Sequence, residues 1–232
     1  MNKIKNKKII ELKEVWKIYK MDEVDFPALR GMNLEVNQGE FLAVIGPSGS
    51  GKSTALNAIG ALDVPSKGII YLDEKDISKL PESELAQIRG RKIGFVFQSF
   101  HLIPSLSTLE NVMLPMIFQG ISREDRINRA KELLNAVGLS DKINNLPSQL
   151  SGGQRQRVAI ARALSNNPEV ILADEQTGNL DSKTGAEILS LLKKLNEEGK
   201  TLIVVTHDER IAREADRIAY LEDGKVVKVE KK

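Results

Sequence analysis

Short apolar runs alternate along the chain with stretches of helical period, the arrangement expected of an α/β fold on a mainly parallel sheet. Three runs read as buried strands: Phe41 to Ile45, Val170 to Ala173, and Leu202 to Val205. Each ends in a polar or glycine-rich turn, and open α/β sheets bind ligands at those C-terminal edges. Residues 9–36 and 68–77 hold shorter strand-like patches, and Asp223-Gly224 between Tyr220-Leu221 and Val226-Val227 signals a hairpin. Together these predict a small antiparallel layer beside the main sheet. Residues 105–165 read as mainly helical. Ser122-Arg123-Glu124-Asp125 fits a capping box, followed by Ile127, Ala130, Leu134 and Val137, with Gly138 as the stop. A further helix over 183–198 puts Ile188, Leu191, Leu192 and Leu195 on one face and ends at Gly199. The pattern predicts a single domain over 1–232 with a helical lobe at about 105–165 inside it.

Composition narrows the class without naming it. A chain of 232 residues buries roughly 70% of its unfolded surface, enough for a core without staples. The formal charge is only +2 and aromatics are 4%. Neither suits a nucleic-acid binder, which needs a concentrated basic excess or a stacking surface. Cysteine is absent, so there is no disulfide framework, and a cytosolic setting is expected. No segment reaches the ~20 apolar residues that span a bilayer. The basic start, Met1 to Lys8, lacks the apolar region of a signal peptide. Any membrane would be met through a partner.

Gly46-Pro47-Ser48-Gly49-Ser50-Gly51-Lys52-Ser53 matches G-x4-G-K-[ST]. A strand-like run precedes it, and Ala55, Ile59 and Leu62 at helical spacing follow it, as the motif requires. Its glycines let successive N–H groups turn inward around a phosphate, and the helix N-terminus adds its positive end. Lys52 would reach the β- and γ-phosphates and Ser53 would hold Mg²⁺. The plainer reading is a glycine-rich turn that binds nothing, and the flanking elements weigh against it. A P-loop NTPase core still leaves kinases, GTPases, helicases and transporter motors open. The sequence has no N-K-x-D guanine reader.

Four further features bear on the choice. Leu150-Ser151-Gly152-Gly153-Gln154 precedes a helix carrying Val158, Ala161 and Leu164. It is a second glycine-rich helix start, either a plain cap or another anion site, and one nucleotide needs only one cradle. Val170 to Glu175 is an apolar strand ending in two carboxylates, Asp174 and Glu175. One could join a Mg²⁺ shell while its neighbour polarises an attacking water, or both could simply be solvated. Thr206-His207-Asp208 ends another buried strand, with His207 one of two histidines. Gln98, after Gly94-Phe95-Val96-Phe97, is a neutral amide able to touch metal and water, or an ordinary loop residue.

Taken together, these residues resemble the ATP-binding cassette (ABC) ATPase family over nearly the whole chain, Leu150 to Gln154 being the most specific element. The resemblance implies ATP and Mg²⁺ as ligands, with Gly46 to Thr54 binding nucleotide and Tyr19 stacking on adenine. It implies Lys52, Gln98, Glu175 and His207 in catalysis, Glu175 as the catalytic carboxylate and His207 as the γ-phosphate switch. Ser53, Gln98 and Asp174 would hold the metal. Leu150, Ser151, Gly152, Gly153 and Gln154 would meet the nucleotide of a second copy in an ATP-dependent homodimer. Asn179-Leu180-Asp181 would be the loop that crosses the dimer interface. Phe97 to Pro104, with Leu109-Glu110-Asn111-Val112, is most similar to the lipoprotein-releasing and macrolide-export branch. That branch implies a separate transmembrane permease, work toward export or extraction, and a place on the inner face of the membrane through that partner. The chain departs from the family in one place: Gln176 stands where proline usually follows the catalytic glutamate.

A rival is a soluble ABC ATPase of DNA repair or translation. Repair-type members carry a long coiled coil between P-loop and signature, and translation-type members carry two cassettes. Neither fits in 232 residues. The run Val112 to Phe118 reads either as part of a dock for the membrane partner, with Met113 and Met116 as its adaptable surface, or as a run packed inside the helical lobe.

Overall fold

The computed structural model describes residues 7–21, 24–174 and 182–232. Its strands are β1 (Lys8–Met21), β2 (Val24–Asn37), β3 (Phe41–Ile45), β4 (Lys67–Leu72), β5 (Lys75–Asp76), β6 (Ile93–Val96), β7 (Val170–Asp174), β8 (Thr201–Val205), β9 (Arg217–Glu222) and β10 (Lys225–Lys231). Its helices are α1 (Lys52–Ile59), α2 (Glu82–Lys92), α3 (Thr108–Ile117), α4 (Arg123–Ala136), α5 (Gly152–Ala163), α6 (Ser182–Glu197) and α7 (Glu209–Glu214). The chain forms two compact units, Met1–Arg89 with Asn196–Lys232, and Gly90–Leu195. The second is inserted in the sequence of the first.

The first unit contains two kinds of sheet. β3 runs parallel to β8 on one side and to β9 on the other, and its Phe41 to Val44 are buried together with all of β8. Burial on both faces is why these segments read as continuous apolar runs. β1, β2, β4 and β5 make an antiparallel sheet in the order β2-β1-β4-β5. The pairing of β1 with β2 shifts register between Leu12 and Val15, where Glu14 has φ 48°. A bulge of this kind moves side chains to the opposite face. Ile10 and Leu12 are accordingly buried before it and Val15 after it. The interrupted alternation explains why the sequence shows patches there and not two 14-residue strands.

The hairpin at Asp223-Gly224 forms as expected, but its place differs. β10 pairs with β9, and β9 with β3, so the hairpin extends the mainly parallel sheet and not the antiparallel layer. α1 is also shorter than its spacing suggests. It ends at Ile59, with Gly60 as cap, and Leu62 is exposed.

In the second unit β6 and β7 pair in parallel, and α3, α4 and α5 fill residues 108–163. The Ser122 side chain accepts from Asp125 N and so caps α4, while Ser107 and Glu110 make a full reciprocal box at α3. Ile188, Leu192 and Leu195 of α6 are buried as expected. The docking expectation needs correction: Met113 and Met116 are 9% and 1% exposed. They belong with Val112 to the buried face of α3, which Ser107 caps. The exposed apolar side chains of that run are Ile117 and Phe118, at 46% and 79%. No described helix is long and apolar enough to cross a membrane.

Candidate functional site

The phosphate-binding motif occupies the turn from β3 into α1. Gly51 caps α1 in a left-handed conformation, φ 98° and ψ 10°, which glycine adopts without a Cβ penalty. A Cβ on Gly46 would lie 2.1 Å from the Leu221 carbonyl oxygen, so this glycine is fixed by the close approach of β9. The Lys52 Nζ donates to the carbonyl oxygens of Gly46 (2.9 Å) and Pro47 (2.8 Å). Its ammonium therefore lies over the loop and not out in solvent. Ser50 Oγ is buried with no protein partner among the described residues, and its carbonyl accepts from Gly224 N at 2.9 Å. Gly224 O in turn accepts from Arg30 N at 3.0 Å, so the β9–β10 turn ties the loop to β2.

Two other expected site residues belong to the same unit. The Tyr19 hydroxyl donates to Asp63 (3.1 Å), and Lys17 Nζ bonds the same carboxylate. Partial burial, then the Asp63 contact, pushes the Tyr19 phenol above its ordinary pKa, partly offset by Thr54. Tyr19 is thus a neutral ring held beside the first turn of α1. At the end of β8, Thr206 N donates to Val44 O (3.1 Å). This places exposed His207 at the strand edge from which Gly46 departs. Asp208, next to it, caps α7, and the Arg210 guanidinium holds its carboxyl below the usual range.

The second unit carries the other candidates. Val96 of β6 pairs with Ala173 of β7, so Gln98 and Asp174 leave adjacent parallel strands at one edge. Ser151 is the cap of α5: its Oγ accepts from Gln154 N (3.2 Å) and Gln154 Oε1 accepts from Ser151 N (2.9 Å). A Cβ on Gly153 would lie 2.4 Å from Thr184 Cγ2 of α6, so packing against α6 favours glycine here. Leu150 is buried just before it. Glu175, Gln176, Asn179, Leu180 and Asp181 lie outside the described residues.

A family model described as ABC transporter matches residues 29–178. An ABC transporter ATP-binding protein of Thermotoga maritima, itself uncharacterised, is 55% identical over 97% of each chain. A macrolide export ATP-binding/permease protein, MacB of Nitrobacter winogradskyi, is 51% identical over 94% of this chain, which spans 34% of that protein. The fold superposes with a TM-score of 0.89 on the ATP-binding cassette MJ0796 in a dimeric post-hydrolysis state bound to ADP and Pi. That structure is 55% identical, with 96% of this chain and 98% of that one covered.

The chain belongs to the ABC transporter family. Membership decides between the rivals left open by the motifs: this is a transporter ATP-binding protein with ATP hydrolysis as its reaction, and not a repair or translation ATPase.

Around the motifs of the cassette stand side chains that sequence reasoning passed over. Asp63 holds Tyr19 from 44 residues away, a relation no local spacing signals. Asn111, fully buried, accepts at Oδ1 from Ile103 N (2.8 Å) and donates through Nδ2 to the carbonyls of Ile103, Leu106 and Ser107. It organises the segment between Gln98 and α3. Arg162 of α5 donates through both terminal nitrogens to the carbonyl oxygens of Phe100 and His101, and burial pushes its guanidinium down from its ordinary value. Arg155 lies 5.3 Å from the Phe100 ring centroid. Arg155 and Arg162 are seven residues apart, two turns on one helix face, and that spacing among apolar neighbours was the available signal.

Proposed function

We propose that this chain is the nucleotide-binding subunit of an ABC transporter in which two copies sandwich two ATP molecules and drive a separate transmembrane permease toward export or extraction. The P-loop carries the reading: a glycine-built turn at a strand's C-terminal edge, with the Lys52 ammonium over it and buried Ser50 Oγ unpartnered within it. Such a loop presents N–H groups and positive charge to phosphate. Tyr19 offers a ring face to adenine. The hydroxyl of Ser53, the amide of Gln98 and the carboxylate of Asp174 are hard oxygen donors of the kind that suits Mg²⁺. When bound, Mg²⁺ neutralises phosphate charge.

Within this reading Lys52 stabilises charge growing on the γ-phosphate oxygens. Glu175 accepts a hydrogen bond from the attacking water and polarises it in line, and His207 contacts the γ-phosphate. Ser151, Gly152 and Gly153 serve the nucleotide of the other copy, and Asn179 to Asp181 cross between copies. Two observations on relatives support the arrangement: the MJ0796 cassette is dimeric, and MacB joins an ATP-binding part to a permease in one chain. Docking on the permease would place the chain at the inner face of the membrane. Glu175→Gln should retain ATP binding, lose turnover, since an amide cannot polarise water as a carboxylate does, and accumulate as an ATP-bound dimer. Wild-type turnover in that variant would remove Glu175 from the mechanism.

A further inference from the structure

The segment following Gln98 turns through two bulky residues in the left-handed region, Phe100 at φ 58° and His101 at φ 47°. Non-glycine residues rarely adopt this conformation, and consecutive ones persist only where the surroundings over-determine them. Local bonds alone are few: Phe100 N donates to Phe97 O (3.3 Å) and His101 N to Ser99 O (2.6 Å). The carbonyls of both strained residues converge on one group, the Arg162 guanidinium. A planar fork with fixed donors suits two adjacent acceptors in a way a lysine does not. Arg155 adds a cation–π contact to the Phe100 ring. Phe97, beside Gln98, stacks on the His101 ring at 4.8 Å between centroids, so the held backbone is linked through rings to the residue before Gln98.

We propose that Arg162 is a positioning residue that, with Arg155, holds the Gln98 loop in its left-handed turn and makes the loop follow the signature helix α5. The proposal rests on the reading of Gln98 as a reaction-site residue. Both arginines and Gly152-Gly153 sit on one 12-residue helix, which Ser151 caps. A change of contact at its N-terminus would carry Phe100 and His101 with it. The loop thus reports the state of the signature.

Hydrogen exchange read by mass spectrometry on the whole chain tests this, with steady-state ATPase kinetics alongside. In Arg162→Met, amides of residues 97–104 should exchange about tenfold faster while β6 and the rest of α5 keep wild-type protection. The same variant should lower kcat with the KM for ATP within about twofold, because the P-loop and Tyr19 belong to other elements. Arg162→Lys, whose ammonium keeps the charge but lacks the planar fork, should fall between wild type and Met, and it supplies the readout if the Met variant does not fold. Wild-type loop exchange in the folded variants would overturn the proposal, as would a loosening spread evenly over the unit. Gln98→Ala separates the two readings. If it leaves turnover unchanged while Arg162→Met still loosens the loop, the role of Gln98 fails and the tether stands. If Gln98→Ala abolishes turnover while Arg162→Met alters neither loop nor kcat, the tether fails.

Discussion

Two loops leave the ends of parallel strands in this cassette, and they are built in opposite ways. The P-loop after β3 takes its positive-φ positions at Gly49 and Gly51, where glycine adopts them at no steric cost. The loop after β6 takes them at Phe100 and His101, where each costs roughly 1–3 kcal/mol. The first is shaped by its own residues, closed by Lys52 on its own carbonyls. The second is shaped from outside, by Arg162, Arg155 and Asn111. A loop that must always present the same cradle gains from intrinsic geometry. One that must respond to another element gains from being held by that element.

The comparison predicts unequal tolerance. Gly46→Ala puts a methyl 2.1 Å from the Leu221 carbonyl oxygen, and neither backbone can yield cheaply. ATP affinity should fall about 100-fold or more, ~2.7 kcal/mol, in a nucleotide titration. In the second loop the reverse exchange, His101→Gly, removes strain along with the stacking contact on Phe97. Its stability should stay within about 1 kcal/mol of wild type, with ATP affinity unchanged. Equal losses from the two substitutions would erase the distinction. An effect on stability and not on affinity is expected at Asn111→Leu, which leaves Ile103 N and three carbonyls without their side-chain partner. Urea unfolding should show a loss of about 2–4 kcal/mol, with residues 98–107 losing exchange protection first.

The same contrast explains what was legible in the sequence. The P-loop could be read because its shape is written in its own glycines and its flanking strand and helix. Ser151 could be read as a cap for the same reason, since Gln154 stands three residues on. The arginine tether could not: the spacing of Arg155 and Arg162 marks only a shared helix face, and Arg162 reaches back 61 residues to His101, to backbone carbonyls that no residue type marks. The sequence leaves the burial of Met113 and Met116 open for a related cause. An apolar run broken by Pro115 suggests an interrupted helix, yet α3 continues through it and turns the methionines inward. The hairpin was recognised from Asp223-Gly224, but no local signal says which sheet it joins, since that depends on β3.

The smallest effect concerns the cap that sets α3, and with it Asn111. Ser107 N–H and then its hydroxyl hold the Glu110 carboxyl below its ordinary pKa. A depressed carboxylate stabilises the fold above the unfolded pKa and loses that contribution as pH falls through the folded value. Glu110→Gln should therefore be slightly less stable than wild type at neutral pH. The gap should close as acid is added, traced by thermal melts from pH 7 downward. A gap independent of pH would show that charge at this exposed cap plays no part.

The central claim is that the P-loop and the signature of one chain serve different nucleotides, and mixing two defective chains tests it most directly. Lys52→Ala has a broken cradle with an intact signature, and Ser151→Arg the converse. Each homodimer would contain two broken composite sites, whereas a heterodimer would contain one intact site and one doubly broken site. Sedimentation in ATP should show dimers in the mixture that neither folded variant forms alone. A mixture that behaves as the sum of its parts, with both chains folded, would contradict the account.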